Sequence, residues 1–298
     1  MKNRASLTAE YMALFRALES SRPASSRLFN DSFAACFLGE LRKWLYRVAR
    51  GELGRRLVER VLDSAAPGAR AAGIARTKWI DDEVTAALAE AKQLVLLGAG
   101  FDTRAFRLPE AARATTFELD HPETSRAKQA ALKKHGSLPD RVRYGSLDFI
   151  HQAVDAVLEQ AGFDKMQTAC FVWEGVTNYL TAEAIDAVLR QVQHAAPGSI
   201  LLFTYVDRAV LENPERFFGA AKLMARLESY GESWTFGYYP EALPAYLAAR
   251  GYQLLANLSV ADVWRRTGRS GSGTRGYEFY WLASARVARQ TNESESRS

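Results

Sequence analysis

The stretch Leu94-Val95-Leu96-Leu97-Gly98-Ala99-Gly100-Phe101-Asp102-Thr103-Arg104 decides the fold. Four apolar residues in a row read as a buried strand, and a Gly-x-Gly turn follows at once. Glycine lets a backbone approach a ligand where a Cβ would collide. The next apolar run ends Phe117-Glu118-Leu119-Asp120, which places Asp120 22 residues after Gly98. An acid there, at the tip of a second strand, can reach both hydroxyls of a ribose. Strand, glycine turn and acid together predict a Rossmann-like α/β sheet with a nucleotide-type cofactor.

Reading outward, short apolar runs alternate with helical patterns, as βαβ units require. The expected strands are Leu94–Leu97, Thr115–Leu119, Val142–Ser146, Ala169–Trp173, Ile200–Tyr205, Tyr252–Leu258 and Tyr277–Leu282. Between the fourth and fifth, Ile185, Val188, Leu189 and Val192 mark one helix face. Thr181 can cap that helix and Pro197-Gly198 ends it. The spacing predicts seven strands, mostly parallel, spanning a core from 91 to 290. Residues 1 to 90 show helical spacing and no convincing strand, so an N-terminal helical cap is expected. An aromatic-rich interruption at about 208–240, with Phe217, Leu223, Trp234, Phe236 and Tyr238, reads as an inserted helical lid. The polar tail Thr291–Ser298 reads as disordered.

Composition narrows the function. A chain of 298 residues, 48% hydrophobic, closes a core without disulfides. Cys36 and Cys170 stand far apart, which argues against structural zinc, so no metal is expected and a reducing compartment fits. No run approaches a membrane span and no apolar signal core opens the chain, so a cytoplasmic location without a membrane partner is expected. The net charge of +5 comes from scattered arginines rather than a basic stripe interleaved with aromatics, so a nucleic-acid partner is not expected.

The turn discriminates between cofactors. A dinucleotide fingerprint needs a third glycine where Thr103 stands. Asp102 would repel a pyrophosphate but tolerate the cationic methionine end of S-adenosylmethionine. A phosphate-binding GxxxxGK[ST] loop is absent.

Three segments carry a resemblance: Gly98 to Arg104, Phe117-Glu118-Leu119-Asp120-His121-Pro122, and Trp173-Glu174-Gly175-Val176-Thr177-Asn178-Tyr179-Leu180. With Ser6-Leu7-Thr8-Ala9, Arg16-Ala17-Leu18-Glu19 and the Arg76/Asp81 segment, they resemble the leucine carboxyl methyltransferase-like family of class I S-adenosylmethionine-dependent methyltransferases. The similarity is greater to its bacterial branch, associated with O-methylation in polyketide and other natural-product pathways. The resemblance implies S-adenosyl-L-methionine as cofactor, with Arg76 on the methionine carboxylate and Gly98 and Gly100 beneath the cofactor. It further implies Asp120 on the ribose, Asp148 and Phe149 flanking the adenine, and Glu174 near the methionine ammonium.

For the acceptor, the expected site lies between the N-terminal helices and the lid. Arg16, Arg22 and Arg27 come from the first, aromatics from the second. An apolar cleft with a few cationic groups suits a small hydrophobic acid or polyphenol. Arg16 and Tyr179 are the candidate residues there. No His/Asp or Lys/Asp pair offers a general base, which favours a carboxylate acceptor over a hydroxyl. The run Glu174-Gly175-Val176-Thr177-Asn178-Tyr179 also differs from the Asp/Asn-Pro-Pro-aromatic run of nucleic-acid base methyltransferases. A protein C-terminal carboxyl methyltransferase, a nicotinamide oxidoreductase and a non-catalytic cofactor-binding protein remain alternatives. Neither the acceptor's identity nor the oligomeric state is legible.

Overall fold

The computed structural model describes residues 7–136, 138–229, 231–269, 273 and 275–289. Ser6 of the N-terminal motif, several residues of the Ser270–Gly276 loop and the tail Thr291–Ser298 lie outside the described residues.

Among the described residues, four α-helices and a 3₁₀ turn (Ala34–Phe37) precede the first strand: α1 (Leu7–Ser20), α2 (Glu40–Val48), α3 (Glu52–Ala65) and α4 (Ala69–Ala87). Helix α4 shows no clear apolar stripe because it is buried on several sides, with Ala71, Ala72, Ile74, Ala75, Ile80 and Val84 all in the core. It packs between α1 and the sheet, so its polar residues Arg76 and Asp81 face the interior of the molecule.

Seven strands form one sheet: β1 (Gln93–Leu97), β2 (Thr115–Asp120), β3 (Val142–Ser146), β4 (Ala169–Trp173), β5 (Ile200–Val206), β6 (Tyr252–Ser259) and β7 (Tyr280–Val287). Their order is β3-β2-β1-β4-β5-β7-β6. The first five run parallel, and β7 runs antiparallel to both neighbours. Strand β1 is fully buried, as parallel strands covered on both faces are. The strand order reverses between β1 and β4, and in open α/β sheets ligands bind in the crevice beyond the strand ends at such a point.

The connecting helices are α5 (Arg104–Arg107), α6 (Pro122–Lys133), α7 (Val154–Gln160), α8 (Ala182–Val192), α9 (Arg208–Glu212), α10 (Ala220–Ser229), α11 (Leu243–Ala248) and α12 (Val260–Arg266). In α8 the Thr181 side chain accepts from the Ala184 amide, and Ile185, Val188, Leu189 and Val192 are buried. The chain leaves the end of β5 into α9 and α10. It returns at Tyr238, whose amide donates to the Val206 carbonyl (3.1 Å).

One expectation shifts. The last strand begins at Tyr280 and not at Tyr277, and it continues to Val287. Tyr277 to Tyr280 form a turn closed by the Tyr280 amide on the Tyr277 carbonyl (3.0 Å), and Tyr277 stacks on Phe279. The strand's second half, Ala283-Ser284-Ala285, has small side chains and little apolar signal, yet it is buried between β5 and β6. Among the described residues no helix is long and apolar enough to cross a membrane.

Candidate functional site

The turn after β1 is docked onto β2 by its own backbone. The Gly98 and Ala99 amides both donate to the Leu119 carbonyl, at 2.8 and 3.1 Å. Gly98 (φ +69°) and Gly100 (φ +44°) both occupy the left-handed region, where a side chain is strained. A Cβ on Gly98 would also lie 2.5 Å from Val176 Cγ2. At Gly100 the nearest atom a Cβ would meet is the Gly98 carbonyl oxygen at 3.9 Å, so the space above it is open.

Asp120 borders that space. Its carboxylate accepts from the Gly100 amide on one oxygen and from the His121 amide (2.6 Å) on the other. Burial pushes the Asp120 carboxyl up, while these two amides and Lys128 pull it back. The helix after the turn, α5, is only four residues long, and the Asp102 carboxylate accepts from its Arg104 amide (2.7 Å). A carboxylate therefore stands where a dinucleotide fold presents amides to a pyrophosphate. Phe149 flanks the turn from the loop after β3. Its ring edge would lie 3.7 Å from a Cβ on Gly98, and its face stacks on Trp173. Asp148, beside it, closes a local turn by accepting from the Ile150 amide (2.9 Å).

At the end of β4, Glu174 joins two arginines. Its oxygens lie 2.6 Å from Arg76 Nε and 2.6 Å from Arg104 Nη1. Burial would raise its pKa, but the Arg104 and Arg76 charges overcome that and hold it at about 2. Arg104 also binds Asp81 (2.8 Å) and Asp102. Asp81 in turn holds Arg107 (2.6 Å). One step further, Asp31 accepts from Thr103 (2.7 Å) and Arg16 (2.8 Å). The result is a ladder of four arginines and four carboxylates joining α1, α4, the turn and β4. Buried ions persist only when so paired.

The structure therefore brings Arg76, Gly98, Gly100, Asp120, Phe149 and Glu174 around one crevice at the β1/β4 reversal. Arg16 reaches the same turn from α1, but its guanidinium is shared between Asp31 and the Phe101 carbonyl (2.6 Å). That is a bracing geometry. Arg22 is taken by Glu19 and Glu59.

Tyr179 lies in a short 3₁₀ turn beyond β4, near Trp234 and Thr8, and burial pushes its hydroxyl up to about 12. The inserted segment is pinned over it, since the Thr235 amide donates to the Asn178 carbonyl (2.8 Å) and its hydroxyl to the Leu180 carbonyl (2.9 Å). Trp234 also meets Phe279 edge to face and lies against Tyr280. The Tyr280 hydroxyl then links this aromatic group to Arg76 (3.1 Å) and Thr204 (3.2 Å).

Sequence reasoning did not assign Arg104, Arg107, Asp31 or Tyr280 to the site. Asp102-Thr103-Arg104 carried a usable signal, three polar residues directly behind a buried strand and turn. Tyr280 carried none, because nothing local distinguishes it from a packing tyrosine.

A family model described as leucine carboxyl methyltransferase matches residues 9–193. A protein of Parafrankia sp. assigned as an S-adenosyl-L-methionine-dependent methyltransferase is 33% identical over 249 residues, covering 83% of this chain and 76% of its own. One from Mycobacterium avium, assigned likewise, is 30% identical over 284 residues, covering 88% and 87%. Among solved structures, an assigned methyltransferase from Thermobifida fusca superposes with a TM-score of 0.57 at 18% identity, covering 91% of this chain and 97% of its own. A DUF574 family protein from Streptomyces avermitilis gives 0.57 at 16%, covering 90% and 99%. With a sheet of this order and a family match over more than half its length, the chain belongs to the leucine carboxyl methyltransferase family of S-adenosylmethionine-dependent methyltransferases.

Proposed function

We propose that the protein transfers the methyl group of S-adenosyl-L-methionine to an oxygen of a small hydrophobic acceptor, preferably a carboxylate. The residues present fit the cofactor: open space over Gly100, the acid Asp120 beside it, the Phe149 ring, and the Arg76–Glu174 pair. That pair carries one charge of each sign, the complement of a zwitterionic methionine end. Asp148 completes the adenine side in this reading. When bound, the cofactor supplies an electrophilic methyl group on a sulfonium. The chain's own task is to hold the acceptor in line and keep water out.

What supports the carboxylate preference, among the described residues, is the state of the two titratable groups at the end of β4, Glu174 and Tyr179. Glu174 is held at about 2 and Tyr179 at about 12, so neither gains or loses a proton near pH 7. The His121 imidazole caps α6, and His194 faces Asp155 across the surface. An acceptor that arrives ionised needs no base. In this reading Tyr179 and Trp234 wall the acceptor site, and Arg16 acts by bracing the turn.

Single-turnover transfer from labelled S-adenosylmethionine to a panel of hydrophobic acids and phenols tests the proposal. The expected result is an alkali-labile ester whose formation rate is nearly flat from about pH 6 to 9. An alkali-stable ether formed roughly tenfold faster per pH unit would instead assign a hydroxyl acceptor.

A further inference from the structure

Polar groups from the end of β4, from β5 and from β7 meet beside Arg76, and their hydrogen bonds leave one hydrogen unassigned. Thr204 lies on β5 and is fully buried. Its hydroxyl oxygen accepts from the Gly175 amide (2.8 Å) and lies 3.2 Å from the Tyr280 hydroxyl. Tyr280 opens β7 and is 5% exposed. Its oxygen accepts from Arg76 Nη1 (3.1 Å), since a guanidinium can only donate. The same guanidinium lies 5.3 Å from the centre of the Tyr280 ring.

Either hydroxyl could donate across the 3.2 Å contact, and burial decides between them. If Tyr280 donated, the Thr204 hydrogen would have no acceptor among the described residues, in a side chain sealed from water. Leaving a buried donor without a partner is costly. If Thr204 donates, its hydroxyl is satisfied in both roles. The Tyr280 oxygen then accepts two hydrogens, one of them from a cation, and its own hydrogen is left for another acceptor. A hydroxyl that accepts two donors is the stronger donor in its turn. Arg76 is in a matching state. Its Nε is held by Glu174 (2.6 Å) and its Nη1 by Tyr280, while Nη2 makes no hydrogen bond among the described residues. Nη2 lies 3.9 Å from where a Cβ on Gly175 would stand, at the end of β4.

We propose that the Tyr280 hydroxyl binds a carboxylate together with Arg76 Nη2, and that this carboxylate belongs to the methionine end of the cofactor. This rests on the cofactor reading given above. A carboxylate has two oxygens and takes one hydrogen from each donor. Thr204 is a positioning residue in this arrangement, since the hydrogen it donates turns the tyrosine's own away from β5. The Tyr280 ring packs against Trp234, so a phenylalanine keeps that packing and loses the donor.

Calorimetric titration at neutral pH with S-adenosylhomocysteine and with its decarboxylated analogue, which keeps the amine, tests this on the wild-type chain, Tyr280→Phe and Thr204→Val. Tyr280→Phe is expected to bind S-adenosylhomocysteine about tenfold more weakly and the decarboxylated analogue within about twofold of wild type. Unchanged affinity for S-adenosylhomocysteine, or an equal loss for both ligands, would overturn the proposal. Thr204→Val keeps the Arg76–Tyr280 contact and removes the hydroxyl that orients the tyrosine, so it separates a donor from a prop for Arg76. A loss of roughly threefold confined to S-adenosylhomocysteine is expected there, and it decides alone if Tyr280→Phe does not fold. No loss in Thr204→Val, or an equal one for both ligands, would overturn the proposal. No binding of S-adenosylhomocysteine by the wild-type chain would overturn the cofactor reading itself, which is a separate outcome.

Discussion

The two halves of the crevice are built from opposite materials. On the side of β1, β2 and α4, buried arginines and carboxylates are paired in a ladder from Arg16 to Arg76. On the side of β5, β7 and the inserted segment, the contacts are rings: Trp234 on Phe279 and Tyr280, Phe236 on Tyr238, Phe217 on Phe279. The family match, residues 9–193, ends before β5, so it covers the charged half and stops short of the aromatic one. The physical lesson is about tolerance. Paired ions fix distance and direction, and losing one leaves its partner stranded in low dielectric. Rings supply area and shape and can be exchanged at modest cost. Under the proposed function, the first material would hold the cofactor and the second the acceptor.

The sharpest way to break this contrast is at Arg104, which holds Asp81, Asp102 and Glu174 together. Arg104→Met is expected to destabilise the fold by about 3–5 kcal/mol, since three carboxylates lose their shared partner. Urea unfolding measures it, and a loss under about 1 kcal/mol would mean that the ladder does not carry the N-terminal helices. Gly100→Val should cost the fold less, roughly 1–2 kcal/mol of backbone strain, while cofactor affinity falls on the order of a hundredfold because the side chain enters the open cradle. Normal affinity in a folded variant would place the cofactor elsewhere. Asp120→Ala removes a charge-assisted acceptor worth roughly 1.5–3 kcal/mol, so affinity for S-adenosylhomocysteine is expected to fall at least about tenfold.

The ladder also has a pH signature. Glu174 is held at about 2 in the folded chain, below the ordinary 4.5 of the unfolded one. Its contribution to stability is therefore present above pH 4.5 and lost as pH falls through about 2. Glu174→Gln should flatten the wild-type decline in that acid window, which thermal unfolding across pH would record. The smallest effect on the cofactor is expected on the aromatic side. Trp234→Ala should leave S-adenosylhomocysteine affinity within about twofold of wild type while raising the acceptor KM several-fold. A large loss of cofactor affinity there would erase the division of labour.

These two materials also differ in how well the sequence announces them. The strands were legible because parallel strands buried on both faces read as continuous apolar runs, as in Leu94–Leu97. The last strand was misplaced because Ala283-Ser284-Ala285 earns its burial from neighbours rather than from its own side chains. In the site, Gly98, Gly100 and Asp120 follow from local spacing on one βαβ unit. The ladder does not, since Arg104 meets Glu174 across 70 residues and Arg76 meets Tyr280 across 204. Pairing at that range is set by packing. Arg16 illustrates the difficulty: an arginine in the right segment reads equally as a ligand contact or a brace, and only its partners Asp31 and Phe101 distinguish the two.

In the proposed function, the charged half of the crevice binds S-adenosylmethionine through Asp120. Calorimetric titration of S-adenosylhomocysteine at neutral pH into the wild-type chain, Asp120→Ala and Trp234→Ala tests it most directly. One site per chain is expected in the wild type, with a loss of at least about tenfold in Asp120→Ala and near-wild-type affinity in Trp234→Ala. Equal affinity in wild type and Asp120→Ala, or a wild-type chain that takes up a nicotinamide dinucleotide and not S-adenosylhomocysteine, would contradict it.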